Sequence, residues 1–373
     1  LSEVTALATG FGVLDALPAD APGPRVWRAL GRAGLIEQVY RDGSAAAGVD
    51  PERLGRLLAE VDERFAVGAT LAVCVQLATV LPVLATGGGP AAPALRRALA
   101  GEAVVGLAAT DAGTGSDLTA LDTQVRLGGD ELEVTGTKRW ITNATAAEHF
   151  LVLARHRAGR HFTNFTWVLV PVSAPGVAVT PADTELFTGS GVGHVRFDRV
   201  RLPVDHVVGR PGRGLPSFGR HIGTERLAGA LWAVALCRRT LAATLRRLSA
   251  RPHGDGVLWD LDGIRHRFAA CLVELRQLDA LTRELGDRIT SGHDSGAAAL
   301  LKAAVGRAVP QVLGECAQLQ GAEGFTAGGA RTLGAQAGIF AVGGGVTEVV
   351  LGAVAGDAQA WLDELDPASR SWP

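Results

Sequence analysis

Residues 106–146 constrain this chain more than any other stretch. They read GLAATDAGTGSDLTALDTQVRLGGDELEVTGTKRWITNATA. Leu132 and Val134 alternate with Glu131 and Glu133, the period-two pattern of a half-buried strand. Two turns of small residues, 110–117 and 135–138, bracket the strand-like segments. Gly113 and Gly115 let a backbone approach a ligand closely, with hydroxyls beside them to donate hydrogen bonds. Trp140 and Thr142, two residues apart, are expected on one side of a strand, which offers a planar heteroaromatic ligand a face and an edge donor. The same residues also suit an ordinary antiparallel hairpin with a core tryptophan.

The flanks have a different period. In residues 1–100, segments 25–30 and 54–65 repeat apolar residues every three or four positions, and residues 69–81 are apolar almost all round, as in a buried helix. Residues 101–210 read as short strands separated by Pro, Gly and Asp. A glycine-rich hinge at 209–214 leads to three long periodic segments, 226–248, 259–286 and 297–320, suited to a helical bundle. The expected organisation is an N-terminal helical domain (1–100), a middle β-domain (101–210) and a C-terminal helical bundle (211–373).

Composition narrows the function. A hydrophobic share of 47% supports a large buried interior, and a net charge of −2 with 5% aromatic residues argues against nucleic acid as the main partner. Cys74, Cys237, Cys271 and Cys316 have no metal or redox spacing and read as buried thiols. The nine histidines show no ligand pattern, so no metal is expected. No secretory leader and no apolar span of membrane length are apparent, so no membrane partner and a cytoplasmic location are expected.

The central run resembles the middle domain of the acyl-CoA dehydrogenase family. That family carries T-E-P-x-x-G-S-D, a strand pair, then K-x-W-I-T-N. Here the motifs are Thr110-Asp111-Ala112-Gly113-Thr114-Gly115-Ser116-Asp117 and Lys138-Arg139-Trp140-Ile141-Thr142-Asn143, in the same order and spacing. The resemblance implies an α+β fold: an N-terminal helical domain, a middle β-barrel-like domain and a C-terminal four-helix bundle. It implies FAD, lined by Thr110, Ser116, Trp140 and Thr142, with Thr142 near the flavin N5. Asp111 and Ala112 depart from the family's Glu and Pro.

Dehydrogenating an acyl thioester requires a base for the Cα proton while the Cβ hydrogen leaves as hydride to the flavin. A carboxylate in a dry pocket suits that task. Most family members place a Glu just before the last helix. The stretch Gln318-Leu319-Gln320-Gly321-Ala322-Glu323-Gly324-Phe325 resembles the family's Q-x-x-G-G-x-G-Y, and counting on without gaps puts Gly344 at the position of that Glu. A minority, the isovaleryl and long-chain enzymes, supply the Glu from elsewhere, directly before an Arg that opens the first long helix of the C-terminal domain. The matching pair here is Glu225-Arg226, and Arg226 lies 25 positions (251 − 226) before Arg251, as in the family. The resemblance therefore implies Glu225 as the base, with Arg226 and Gly344 at the substrate. Glu at a helix start is also favoured by the helix dipole alone. Glu348 is a second candidate, a helical turn beyond Gly344, at a position that contacts FAD in the family.

By resemblance Arg251, Gln318 and Gly321 meet the cofactor, Arg251 from a neighbouring subunit, which implies a homodimer or homotetramer. Other positions depart: Pro252-His253-Gly254-Asp255 follow Arg251 without the usual aromatic, Ala335-Gln336 replace an Arg-Asp pair, and Val346 replaces a Thr. These departures suggest a specialised biosynthetic dehydrogenase, its thioester on CoA or on a carrier protein, passing electrons to an electron-transferring flavoprotein or to oxygen; Arg238, Arg239, Arg246 and Arg247 suit an acidic carrier and equally an exposed helix face. A flavin monooxygenase on the same scaffold and a non-catalytic family member are the alternatives.

Overall fold

The computed structural model describes residues 10–113, 115 and 117–366. In the N-terminal third, helix α1 (Gly23–Arg32) begins with Pro24, where the missing N–H costs nothing, and buries Val26, Trp27 and Leu30 along one face. Helix α2 (Pro51–Arg64) is capped by Asp50, whose carboxylate accepts the Arg53 N–H at 2.9 Å. Helix α3 (Val67–Val75) is apolar all round and runs through a π-turn (Gln76–Val80) into Leu81–Leu84. The wide turn comes just before Pro82, which has no N–H to continue the helical ladder. Contrary to the expectation from sequence, Val67–Leu84 is long and apolar enough to cross a membrane, with mean hydropathy 2.1. Because 89% of it is buried inside the protein, it serves as a core helix. Helix α4 (Ala91–Leu99) closes this region.

The middle region is a sheet of eight strands: β1 (Val105–Ala108), β2 (Gln124–Gly128), β3 (Glu131–Ile141), β4 (His149–Arg155), β5 (Phe165–Pro171), β6 (Val177–Pro181), β7 (Gly193–Pro203) and β8 (Val207–Val208). They lie in the order β6-β7-β3-β2-β4-β5-β8, with β1 parallel to β4. The expected alternation holds in β3, where Leu132 and Val134 are buried and Glu131 is exposed. Strands β4 and β5 are buried on both faces. Phe150, Val152 and Val168 pack with the β3–β7 side, while Leu151, Leu153 and Trp167 pack under Val80, Leu84 and Ala94. The sheet is thereby fixed to the helix that carries the π-turn.

Helix α5 (Gly214–Ala250) dominates the C-terminal region; its 37 residues span about 55 Å. It packs on α2, on α6 (Asp262–Thr290) and on α7 (Ser295–Gln320). The fourth position of the bundle is taken by short helices: α8 (Ala330–Gln336), α9 (Ile339–Val342), α10 (Thr347–Gly356) and α11 (Ala358–Leu365), with α10 lying against α7. Helix α5 starts twelve residues (226 − 214) before the periodic segment read from sequence. Glu225 therefore lies about three turns inside the helix. It does not open the helix, and a helix-start dipole does not explain it.

Candidate active site

The turn that precedes β2 and the outer half of β3 come together in space, and residues 135–138, expected as a turn, are continuous strand within β3. Asp111 forms a bridge with Lys138, and the Arg139 N–H donates to the Thr110 carbonyl at 3.0 Å. The Lys138 ammonium is fully buried, 2.5 Å from Asp111, and also donates to the Ala109 and Leu153 carbonyls. Asp111 in turn accepts the Thr123 hydroxyl at 2.8 Å and the backbone N–H groups of Asp122 and Thr123. Burial pushes the Lys138 pKa down to about 8 against the pull of Asp111. The pair is a rigid clasp beneath the candidate flavin face.

Trp140 is not regularly placed on a strand. The pairing of β3 with β7 shifts register between Lys138 and Ile141, and Trp140 takes a left-handed φ of 58°. Thr142 follows in the turn after the strand, half-buried, so the expectation that both lie on one strand is corrected to a bulge and a turn. The bulge swings the indole outward, 55% exposed, with its edge against His194. Around Gly113 and Gly115 nothing lies within 4 Å of where a Cβ would stand. An open aromatic face, a neighbouring hydroxyl and an unobstructed glycine turn fit a flat cofactor such as FAD. Thr110 is partly exposed at this turn, and Ser116 lies outside the described residues.

Glu225 projects from α5 toward the glycine segment that follows α9. Its Oε2 accepts the Thr79 hydroxyl at 2.9 Å. Its Oε1 lies 3.7 Å from where a Cβ on Gly344 would stand. Gly344 has φ +71°, and Arg226 Nε donates to its carbonyl at 3.1 Å. Lys302, from α7, donates to the Phe340 carbonyl, and its Cε is 3.8 Å from the same Gly344 point. Glu225, Arg226, Gly344 and Lys302 line a small, mostly apolar cavity together with Cys74, Trp232 and Phe340. Burial raises the Glu225 pKa above the ordinary carboxylate value, opposed by Thr79, Arg226 and Lys302. Burial and the Arg226 charge bring Lys302 down to about 8.

The π-turn ties the two parts together. Thr79 holds Glu225, and three residues earlier the Gln76 amide bonds both the N–H and the carbonyl of Val105 at the start of β1. Strand β1 leads directly to Thr110. Thr79 and Lys302 were not found by sequence reasoning. A single lysine in the apolar run 297–305 is a visible signal for Lys302; Thr79 has none.

Other candidate residues lie apart. Glu348 is exposed in the first turn of α10, separated from Gly344 by a non-helical break, so it is not one helical turn away. Arg251 caps the far end of α5 and is exposed. Exposed Gln318 and Gly321 are at the same end, where Gln320 Nε2 donates to Thr244 at 2.8 Å. Arg238, Arg239 and Arg247 do not form a free basic face, since they pair with Glu63, Asp62 and Glu323. All four cysteines are buried, as read from sequence, and the described residues contain no cluster able to hold a metal.

A second, polar cleft of about 580 Å³ lies on the N-terminal side of α5, lined by Arg41, Arg213, Arg220, His221, His293 and Thr224, the residue before Glu225, among others. Burial and the neighbouring Arg220 hold the His221 pKa down at about 4, so the arginines carry the charge of this cleft near neutral pH.

Comparison with known proteins agrees with this geometry. The family model described as acyl-CoA dehydrogenase, middle domain, matches residues 106–200, and that described as acyl-CoA dehydrogenase, C-terminal domain, matches residues 212–358. The chain is 28% identical over 308 residues to acyl-[acyl-carrier-protein] dehydrogenase MbtN of Mycobacterium sp. (strain MCS), covering 79% of this chain and 75% of that protein. It is 26% identical to acyl-CoA dehydrogenase FadE12 of Mycobacterium tuberculosis (strain H37Rv), a match covering 61% of this chain and 59% of that relative's length. The solved structure of butyryl-CoA dehydrogenase from Megasphaera elsdenii superposes with a TM-score of 0.86 at 18% identity, covering 96% of this chain and 98% of that one. The clasped turn and strand, the exposed indole and the two matching family models make this chain a member of the acyl-CoA dehydrogenase family of FAD-dependent oxidoreductases.

Proposed function

We propose that this chain dehydrogenates an acyl thioester between Cα and Cβ, with Glu225 as the base. One observation carries the proposal: the Glu225 carboxylate faces the space beside Gly344, in an apolar cavity, at the position from which the usual base is missing. Glu225 takes the Cα proton. The Cβ hydrogen departs with its electron pair, leaving a carbon–carbon double bond. Thr110, Ser116, Trp140 and Thr142, with Arg251, Gln318 and Gly321 of a second subunit, would hold FAD, which would supply the hydride acceptor. Thr79 aims the carboxylate, and Arg226 holds the Gly344 carbonyl so that the glycine segment stays clear of it.

The polar cleft beside Thr224 suits a phosphate on the arm that carries the thioester. That arm is common to CoA and to a carrier protein. The similarity to MbtN, named for an acyl-carrier-protein substrate, favours the carrier and a specialised biosynthetic pathway. Reoxidation falls to an electron-transferring flavoprotein or oxygen. A carboxylate trained on an apolar cavity favours proton abstraction over the monooxygenase alternative, and the open Trp140 face favours a cofactor over a non-catalytic role.

The test is anaerobic mixing of the FAD-loaded protein with acyl thioesters on phosphopantetheine. Bleaching of the flavin absorbance that Glu225→Gln abolishes, while that variant keeps its FAD, is the expected result. A flavin that stays oxidised with every thioester overturns the proposal.

A further inference from the structure

The cavity that Glu225 enters has a floor. Trp232 lies seven residues beyond Glu225 on α5, two turns along the same face, and is 2% exposed. Its indole N–H donates to Asp62 Oδ1 at 2.8 Å, and Asp62 is itself buried and paired with Arg239. The ring meets Phe340 nearly edge-on, centroids 4.8 Å apart. Phe340 is pinned in turn, because Lys302 donates to its carbonyl. The Trp232 ring cannot yield without breaking a buried polar contact.

Between base and floor stands Gly229. A Cβ there would meet nothing within 4 Å, and the residue lines the cavity. The missing side chain is therefore part of the open space. The cavity measures about 60 Å³. A cavity of about 150 Å³ holds the six carbons of benzene, so this one leaves room for roughly two or three carbons beyond the reacting pair.

We infer that the enzyme is specific for short acyl groups, with Trp232 as the residue that sets the limit and Gly229 as the residue that keeps the remaining space open. The inference rests on the dehydrogenase reading of this site. An acyl group of ten carbons has to displace the Trp232 ring, leaving the Asp62 carboxylate with one buried donor fewer. Without a floor, each added methylene buried would strengthen binding by a nearly constant factor.

Binding of unreactive S-alkyl phosphopantetheine thioethers, butyl to dodecyl, to the FAD-loaded protein tests this by calorimetry. Affinity is expected to rise from butyl to hexyl and to fall at least tenfold by decyl. Trp232→Ala should remove the fall and move the optimum to eight carbons or more. Gly229→Val, which fills open space in a helix and does not depend on replacing a core ring, should move the optimum the other way, toward butyl. Affinity that climbs steadily to dodecyl, or a Gly229→Val profile identical to the parent's, overturns the inference while leaving the dehydrogenase reading intact. Failure of every thioether to bind, together with no bleaching by butyryl thioester, overturns both.

Discussion

The Glu225 carboxylate and Gly344 face each other across 3.7 Å, measured to the point where a Cβ on the glycine would stand, although 119 residues (344 − 225) separate them. That contact distance is ordinary van der Waals separation, so the glycine is not required by crowding. Its backbone requires it: φ is +71°, a conformation that side chains beyond Gly adopt at a cost. Gly344→Ala should therefore destabilise by about 1 kcal/mol through strain, measured by chemical denaturation. Restoring the common arrangement by Glu225→Gln with Gly344→Glu should not restore full bleaching, because a side chain at φ +71° strains the segment that has to hold it.

The pH dependence of bleaching reports on Glu225. A base works only when deprotonated, so the rate rises with pH through its pKa. Burial raises that pKa above the ordinary carboxylate value, and the acid limb should lie correspondingly above the ordinary carboxylate range. Lys302 and Arg226 favour the charged form and hold the pKa back. Lys302→Met removes one of these cations and should move the acid limb to higher pH. An unmoved limb would mean that Lys302 serves only to hold the Phe340 carbonyl.

Much of this was legible in the sequence, for identifiable reasons. The β3 alternation was readable because one face of that strand is buried and the other is not. The opposition of Glu225 and Gly344 was readable only by counting from motifs in different parts of the chain. The start of α5 was hidden. Gly214, Pro216 and Gly219 are poor helix formers, and the helix begins there because Gly214 fits against β5, where a Cβ would come within 2.7 Å of the Thr166 nitrogen. The left-handed Trp140 depends on a register shift against β7, which no local pattern encodes. Thr79 reaches Glu225 across 146 residues, again with no local trace.

Trp140 separates cofactor binding from folding. Its ring is 55% exposed and packs on little besides His194. Trp140→Ala should change stability by less than about 1 kcal/mol, as exposed substitutions usually do. It should nevertheless lower FAD retention on gel filtration at least tenfold. A variant that unfolds would show that the indole is structural.

The Asp111–Lys138 clasp predicts the reverse. Both side chains are buried, 0% and 4% exposed for Lys138 and Asp111, and the ammonium has only carbonyls left if the carboxylate is removed. Breaking one side of such a pair costs about 3–5 kcal/mol. Asp111→Ala should lose that much in urea denaturation and should lose FAD with it, since the clasp joins the turn carrying Thr110 to the strand end carrying Trp140.

Arg251 decides whether the site is complete in one chain. It follows Glu225 by 26 residues (251 − 225) on one continuous helix, a distance of about 39 Å. Thr79, Gln76 and β1 keep the Trp140 face near the Glu225 end of that helix. On the proposed reading, an FAD bound there would meet Arg251 of another subunit. Arg251→Ala should then lower FAD retention, and mixed oligomers make the argument decisive. Combining Arg251→Ala chains with Glu225→Gln chains places an intact Glu225 opposite a partner's intact Arg251, so two inactive homomers should regain bleaching when co-refolded. If the arginine serves its own chain, no mixed site contains both groups, and the mixture should stay inactive.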